Sequence, residues 1–465
     1  MKNIFLLLTA VCSLFLAASC KKESFITSSF ARLVISADSI KFDTVFTTTG
    51  SVTRSFKITN DNDQRLLLSK VKLMGGTSSP FKININGSAT PELNNLEIAA
   101  NDSIYVFVTV TVNPTASNLP FIISDSILIN YNGNNRFVQL QAYGQNANFL
   151  HNTIIASNTT WNNARPFVIM GSLRIDTTAT LTIEQGTKIY SHADAPIIVD
   201  GTLIINGTNT NRVLFAGDRL DEYKDLPAGW PGIYFRGSSK NSVFTYAVIK
   251  NAYQAIVVQQ PTVNANPKLV IHQSIIDNAY DAGLICINST IAADNTLISN
   301  CGSGIVIRLG GQYTFTHCTI ASYSNYYLLH KIPVVSVANF ADVNGTTATA
   351  DLSAMFRNCI FWGDNGSVEN EVEVNKQGNT FFSVILDHCL YKAAANPANT
   401  TLIAEIRNLD PLFDSIDTYN RIFDFRISRP QAPGINKGIT TSFPRDLDDN
   451  NRNNALPDLG SYEKQ

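Results

Sequence analysis

The sequence predicts an all-β protein, a β-sandwich followed by a parallel β-helix with a C-terminal cap. Three observations carry that prediction. A motif recurs as Ala247-Val248-Ile249-Lys250-Asn251-Ala252-Tyr253, Ser274-Ile275-Ile276-Asp277-Asn278-Ala279-Tyr280 and Thr296-Leu297-Ile298-Ser299-Asn300-Cys301-Gly302, and Cys318-Thr319-Ile320-Ala321-Ser322-Tyr323 continues it. Its opening residues lie 27, 22 and 22 positions apart, a period that marks stacked units, each too small to bury its own apolar face. The units hold short β-branched runs and no helical periodicity, so each reads as one coil of a solenoid. Upstream, from Leu33 to Gly144, longer strands alternate apolar with polar residues and stop at turn residues, as in a sandwich.

At the N-terminus, Lys2 precedes an apolar run from Ile4 to Leu16, too short to span a bilayer and placed as a secretory signal. It ends Leu16-Ala17-Ala18-Ser19-Cys20, which resembles the bacterial lipobox. The resemblance implies that residues 1–19 are removed and that Cys20 is lipidated, anchoring the chain to a membrane through its N-terminus. Lys21-Lys22-Glu23 follow. The lack of Asp after the cysteine resembles lipoproteins sorted to the outer membrane, and the charged cluster resembles export signals of Bacteroidetes surface lipoproteins. Residues 20–32 are then a linker.

The 465 residues allow two or three domains, and the formal net charge is −2. No basic patch or stripe suits a nucleic-acid partner. Seven cysteines are present. With Cys12 in the signal and Cys20 as the lipid site, Cys286, Cys301, Cys318, Cys359 and Cys389 remain. An odd number without short-range pairing argues for small buried thiols rather than a disulfide framework.

Residues 33–146 read as an immunoglobulin-like sandwich. Ile104, Val106, Val108, Val110 and Val112 share one face of a strand, and Asn132-Gly133 marks a hairpin. The module resembles the Hydin-type modules of bacterial surface proteins, which implies a stalk or spacer, and no aromatic or charged cluster stands out in its sequence.

Residues 147–400 form the solenoid. Ala179-Thr180-Leu181-Thr182-Ile183-Glu184-Gln185-Gly186-Thr187 and Gly201-Thr202-Leu203-Ile204-Ile205-Asn206-Gly207-Thr208 resemble the opening coils of right-handed parallel β-helix proteins of the pectate-lyase-like superfamily. That resemblance implies a fold and no particular activity. Aligned repeats place Ala247, Ser274, Thr296, Cys318, Cys359 and Cys389 in one small, inward column. Tyr246, Gln273, Asn295, His317, Asn358 and His388 stand beside it as an expected polar ladder. His317-Cys318 and His388-Cys389 lack the paired spacing of a zinc site. Ile256, Leu284 and Ile305 belong inside with Val258, Cys286 and Ile307. Val257, Ile285 and Val306 then form an apolar outer stripe beside Gln259, Ile287 and Arg308, for which residues 331–350 are a candidate cover.

The stretch with a site-like mixture is Asp218 to Trp230. Asp218, Arg219, Asp221, Tyr223 and Trp230 interleave carboxylates, a guanidinium and aromatics, a combination suited to stacking on and hydrogen-bonding a sugar. The alternative is a solvated loop whose Tyr223 and Trp230 pack back on the coil. It resembles a loop of Bacteroidetes β-helix lipoproteins, a resemblance that assigns no catalytic residue. Residues 401–465 read as a last coil and cap. Their ending, Pro457-Asp458-Leu459-Gly460-Ser461-Tyr462-Glu463, resembles the closing "Asp-x-Gly-Ala-Tyr-Glu" of bacterial surface β-helix proteins, with Ser461 in place of Ala. Asp446, Asp448 and Asn450 alternate as in a Ca²⁺ loop, yet Asn451 and Pro457 occupy places that need Gly and Glu, so no cofactor is expected.

Three functions remain open. The favoured one is a lipid-anchored, non-catalytic outer-membrane surface protein that binds polysaccharide or another surface protein. The second is a polysaccharide lyase or hydrolase, for which Lys250 and Asp277 in one exposed column are the nearest approach to a catalytic pair. The third is a purely structural or adhesive element.

Overall fold

The computed structural model describes residues 24–47, 50–113, 121–364 and 368–465. The segment read as a secretory signal, and Cys20 with it, lies outside these residues. The chain divides into two compact units, Met1–Asn146 and Ala147–Gln465.

The first unit is a sandwich of two five-stranded sheets. One sheet orders Leu33–Ile35, Arg54–Asn60, Ser103–Val110, Phe81–Ile85 and Ser88–Ala89. The other orders Ser39–Phe46, Asn134–Gln145, Phe121–Tyr131, Leu66–Leu73 and Glu92–Ile98. Neighbours run antiparallel except Ser39–Phe46 and Asn134–Gln145, which run parallel. The alternation read from the sequence holds, since Ile104, Val106, Val108 and Val110 all face the core between the sheets. Asn132 and Gly133 take φ values of 46° and 81°, as a two-residue hairpin turn requires. Asn60 is fully buried, and its amide donates to the carbonyls of Gln64, Ile98 and Ala99, tying one sheet to the loop of the other.

The second unit is a right-handed parallel β-helix of 26 strands in three sheets. Sheet A includes Val213–Gly217, Ala247–Lys250, Ile275–Asp277, Leu297–Ser299, Thr319–Ser322 and Ile360–Gly363. Sheet B includes Ile197–Val199, Ile233–Phe235, Gln254–Gln259 and the first halves of Ala282–Asp294 and Ser303–Thr316. Sheet C takes Ser242–Thr245, Leu269–His272, the second halves of those two long strands, and Leu352–Arg357. Strands without intervening helices cannot pair side by side as crossover units. Coiling gives every interior strand a parallel partner above and below.

The corners explain the repeat. Tyr246, Gln273, Asn295, His317, Asn358 and His388 all adopt left-handed backbone, with φ between 44° and 54°. So do Asn251, Asn278 and Asn300 at the next corner, where Asn recurs because its short amide tolerates that region. The residue that follows the first corner points inward and is small. Ser274, Thr296, Cys318, Cys359 and Cys389 each donate a hydrogen bond from oxygen or sulfur to the carbonyl two residues back. The column therefore selects for a small donor, and cysteine meets both conditions. All five described cysteines are buried and free. Ile256, Leu284, Ile305, Val258, Cys286 and Ile307 are inside, as the alternation requires.

Trp161 stacks on Phe167 at 4.1 Å near the first coil. At the far end the buried Tyr391 lies within the core, its hydroxyl 3.1 Å from Asn396. The C-terminal cap is lateral. After the strands Thr401–Ile403 and Ile406–Arg407 complete the last coil, the tail turns back along the outside of sheet A. Phe413, Phe425, Ile427, Leu447, Leu459 and Tyr462 pack there on Leu297, Ala321, Ile360 and Leu390.

That placement corrects the ladder. Gln273 does donate to the Tyr246 hydroxyl at 2.6 Å, and Asn358 Nδ2 lies 3.1 Å from His317 Nε2. Asn295, between them, instead accepts from Arg452 at 2.8 Å. Gln273 and Asn358 also donate to the carbonyls of Asp446 and Ile439, and His317 Nε2 lies 3.2 Å from Thr441 Oγ1. The column is a seat for the tail. Burial, with Arg452 nearby, holds His317 well below the usual imidazole range, so it acts as a neutral acceptor.

Candidate functional site

The loop from Asp218 to Trp230 is stitched to the solenoid. Trp230 is 1 % exposed and donates its indole N–H to the Lys250 carbonyl at 2.9 Å. Arg219 forms a two-pronged ion pair with the buried Asp221 and stands 4.7 Å over the Tyr223 ring. Asp221 also accepts the Tyr223 amide, and Asp218 accepts from or pairs with His192 Nδ1 at 2.7 Å. Asn251, Asn278 and Arg421 donate to loop carbonyls at Lys224 and Asp225. The structure brings Arg219, Asp221 and Tyr223 together, sends Trp230 into the core, and keeps Asp218 with His192. These groups satisfy one another, which is what holds a covering loop in place.

Lys250 and Asp277, the nearest approach to a catalytic pair, occupy paired positions on neighbouring rungs, but each turns to another partner. Lys250 reaches Asp225 at 3.3 Å, and Asp277 accepts from the Ser299 hydroxyl at 2.7 Å. Burial raises the Asp277 pKa, against the opposing effects of Ser299 and Lys250.

The outer face of sheet B is the more open feature. Val257, Ile285 and Val306 align across three consecutive rungs with Tyr234 before them, and Gln259, Ile287 and Arg308 align beside them. Together they line a groove of about 280 Å³, bounded on its other side by Gln254, Asp281 and Ala282. The apolar stripe is therefore where the alternation puts it. Its expected cover is not. No residue from 331–350 lines the groove: Val335–Ala338 extends sheet B itself, and Phe340–Val343 with Thr346–Thr349 forms a separate hairpin.

At one rim Tyr253 and Tyr280 stand on neighbouring rungs, immediately before the groove residues Gln254 and Asp281. Their rings are nearly parallel, 19° apart with centroids at 5.7 Å, and 45 % and 51 % exposed. Gln254 donates to Asp281 at 2.7 Å. Across the groove Arg308 is exposed, with no carboxylate within ion-pair distance among the described residues. Rings, an apolar floor and polar groups on both rims form a surface that complements the C–H faces and hydroxyls of a sugar chain.

The tyrosines close two of the repeats and are visible in the sequence. What the sequence hides is that the corner aims both into solvent beside the stripe. Lys268 was also missed. It is wholly buried, donates to the carbonyls of Arg236, Gly237 and Gln259, and is pushed down to about 8 by burial.

Among the described residues no three His, Cys, Asp or Glu side chains converge as a metal site requires. At the Ca²⁺-like stretch, Asp446 accepts the amides of Asp448, Asn450 and Glu463, while Asp448 pairs with Arg426 at 2.6 Å. These oxygens organise the tail.

No protein-family model matches the chain, and no curated protein matches it. Solved structures do. Pectate lyase Pel9A matches at 12 % identity over 69 % of this chain and 88 % of its own, with a TM-score of 0.34. The ASH/PapD-like domain of human CEP192 matches at 12 % identity over 27 % of this chain and 92 % of its own, with a TM-score of 0.17. A family 123 glycoside hydrolase from Clostridium perfringens matches at 11 % identity over 25 % of this chain, with a TM-score of 0.18, and the match spans 30 % of that enzyme. The architecture rests on the strand pairings themselves.

Proposed function

We propose that this is a lipid-anchored protein of the outer-membrane surface whose β-helix binds a glycan, without turnover, in the groove on sheet B. The groove beside Tyr253 and Tyr280 carries this reading. The two rings supply stacking surfaces, Val257, Ile285 and Val306 supply an apolar floor, and Gln254, Gln259 and Arg308 supply donors for hydroxyls. Such sites draw affinity from several weak contacts along a chain-like ligand. Binding without chemistry is favoured because Asp281 is the one carboxylate lining the groove, and Gln254 already donates to it. Hydrolysis calls for two carboxylates, and metal-assisted elimination for several.

The test is a glycan array probed with the full chain, followed by incubation of each retained polysaccharide. Retention of a glycan that Tyr253→Ala with Tyr280→Ala abolishes, and no product, is the expected result. Unsaturated-product absorbance would overturn the non-catalytic part in favour of a lyase, and retention of nothing would leave a structural or adhesive element. The anchor is tested separately: a labelled fatty acid should enter the parent chain and fail to enter Cys20→Ser.

A further inference from the structure

The sandwich carries a second exposed aromatic surface, at the centre of a sheet. Ser103–Val110 is the middle strand of its five. Its even-numbered residues fill the core, so Tyr105 and Phe107 face outward together. They are 45 % and 41 % exposed, with centroids 5.9 Å apart and ring planes 18° apart. An outward position on a solvated sheet ordinarily carries a polar residue. Two adjacent aromatic residues there need a reason that the core does not supply.

The neighbours define what the face would accept. Lys57 pairs across from Tyr105, and its ammonium lies 5.5 Å from the ring centre. No carboxylate is within ion-pair distance of Lys57 among the described residues. Asn84 pairs across from Phe107, and its Oδ1 is buried without a hydrogen-bond donor. Lys82, opposite Thr109, is a second cation on the same face. None of the outward positions of these five strands is Asp or Glu. The face thus sets π surface beside positive charge.

We propose that this face is a second glycan site, specific for an anionic polysaccharide. A sugar ring lies on Tyr105 and Phe107, and its carboxylate or sulfate pairs with Lys57. The chain's formal net charge of −2 makes general adsorption to a polyanion a poor alternative.

The experiment measures binding of the full chain to immobilised dextran sulfate, alginate and dextran, which separates sulfate, carboxylate and neutral sources. Tyr105→Thr with Phe107→Thr keeps β-forming residues on the strand and should weaken binding to an anionic polymer at least tenfold. Lys57→Gln, a single surface change, should weaken it three- to tenfold and flatten its salt dependence, while dextran binding stays unchanged. Tyr253→Ala with Tyr280→Ala, which removes the groove's rings, should leave the anionic binding within twofold. The proposal is overturned if the parent chain retains neither anionic polymer, if Lys57→Gln binds like the parent, or if the groove variant alone abolishes retention.

Discussion

Replacing Asn358 tests how the solenoid holds its tail. This residue is fully buried at φ 53°, and its amide bonds the tail twice, donating to the Ile439 carbonyl at 2.8 Å and accepting the Ile439 amide at 3.0 Å. Asn358→Ala leaves in left-handed backbone a residue that lacks the short amide which lets Asn tolerate it, at about 1–2 kcal/mol. It also leaves two tail groups unpaired, at about 1–3 kcal/mol each where water cannot reach them. The expected loss is about 3–8 kcal/mol. Asn358→Gly removes the backbone part and keeps the rest, so it should be less harmful by about 1 kcal/mol. A solenoid need not unfold in one step, and amide exchange across 413–462 is therefore the better assay, alongside thermal unfolding. Both variants should accelerate exchange in the tail while strands near the first coil stay protected. Equal losses for Ala and Gly would refute the backbone argument. Unchanged exchange in both variants would refute the seating of the tail on this column.

Other sites give sharper single outcomes. Asp294, 2.5 Å from His272 Nδ1, raises the imidazole pKa above its ordinary value. The pair's contribution is then complete below about pH 6.5 and is lost as pH rises through the folded value. His272→Asn should thus cost more stability at pH 5 than at pH 9, and an equal cost at both would exclude a charged pair. Lys268→Met strands the carbonyls of Arg236, Gly237 and Gln259; a loss of about 3 kcal/mol or more is expected in denaturant titration, and a neutral effect would show that water satisfies them. A Cβ at Gly363 would collide with Glu371 and His330, which form a buried pair at 2.9 Å. Gly363→Ala should therefore cost about 3–5 kcal/mol by breaking that pair, and a wild-type melting point would show that the pair moves aside.

The solenoid was legible because its constraint is local and repeated. Each corner needs one left-handed residue, each following position a small one, and each strand alternates. Those demands print Asn251, Asn278 and Asn300, and Ser274 through Cys389, into the sequence at a near-constant period. The sandwich was legible for the same reason, in the alternation of Ile104 to Val112. The binding surfaces were less so. Alternation puts Tyr105 and Phe107 opposite Ile104 to Val112, but only the strand pairings set Lys57 and Lys82 beside them. The loop from Asp218 to Trp230 has the composition of a site, but composition does not reveal that Arg219 and Asp221 pair with each other, or that Trp230 turns inward.

The sequence by itself determined the architecture, the inward columns, the free cysteines and the apolar stripe on sheet B, because each follows from periodicity and alternation. Tertiary structure alone decided which faces stay open. The tail covers sheet A, the loop at 218–230 folds back on Lys250, Asn251 and Asn278, and residues 331–350 do not line the groove on sheet B. Covering is a contact between segments far apart in the chain, set by where each loop folds back, and no local pattern encodes it.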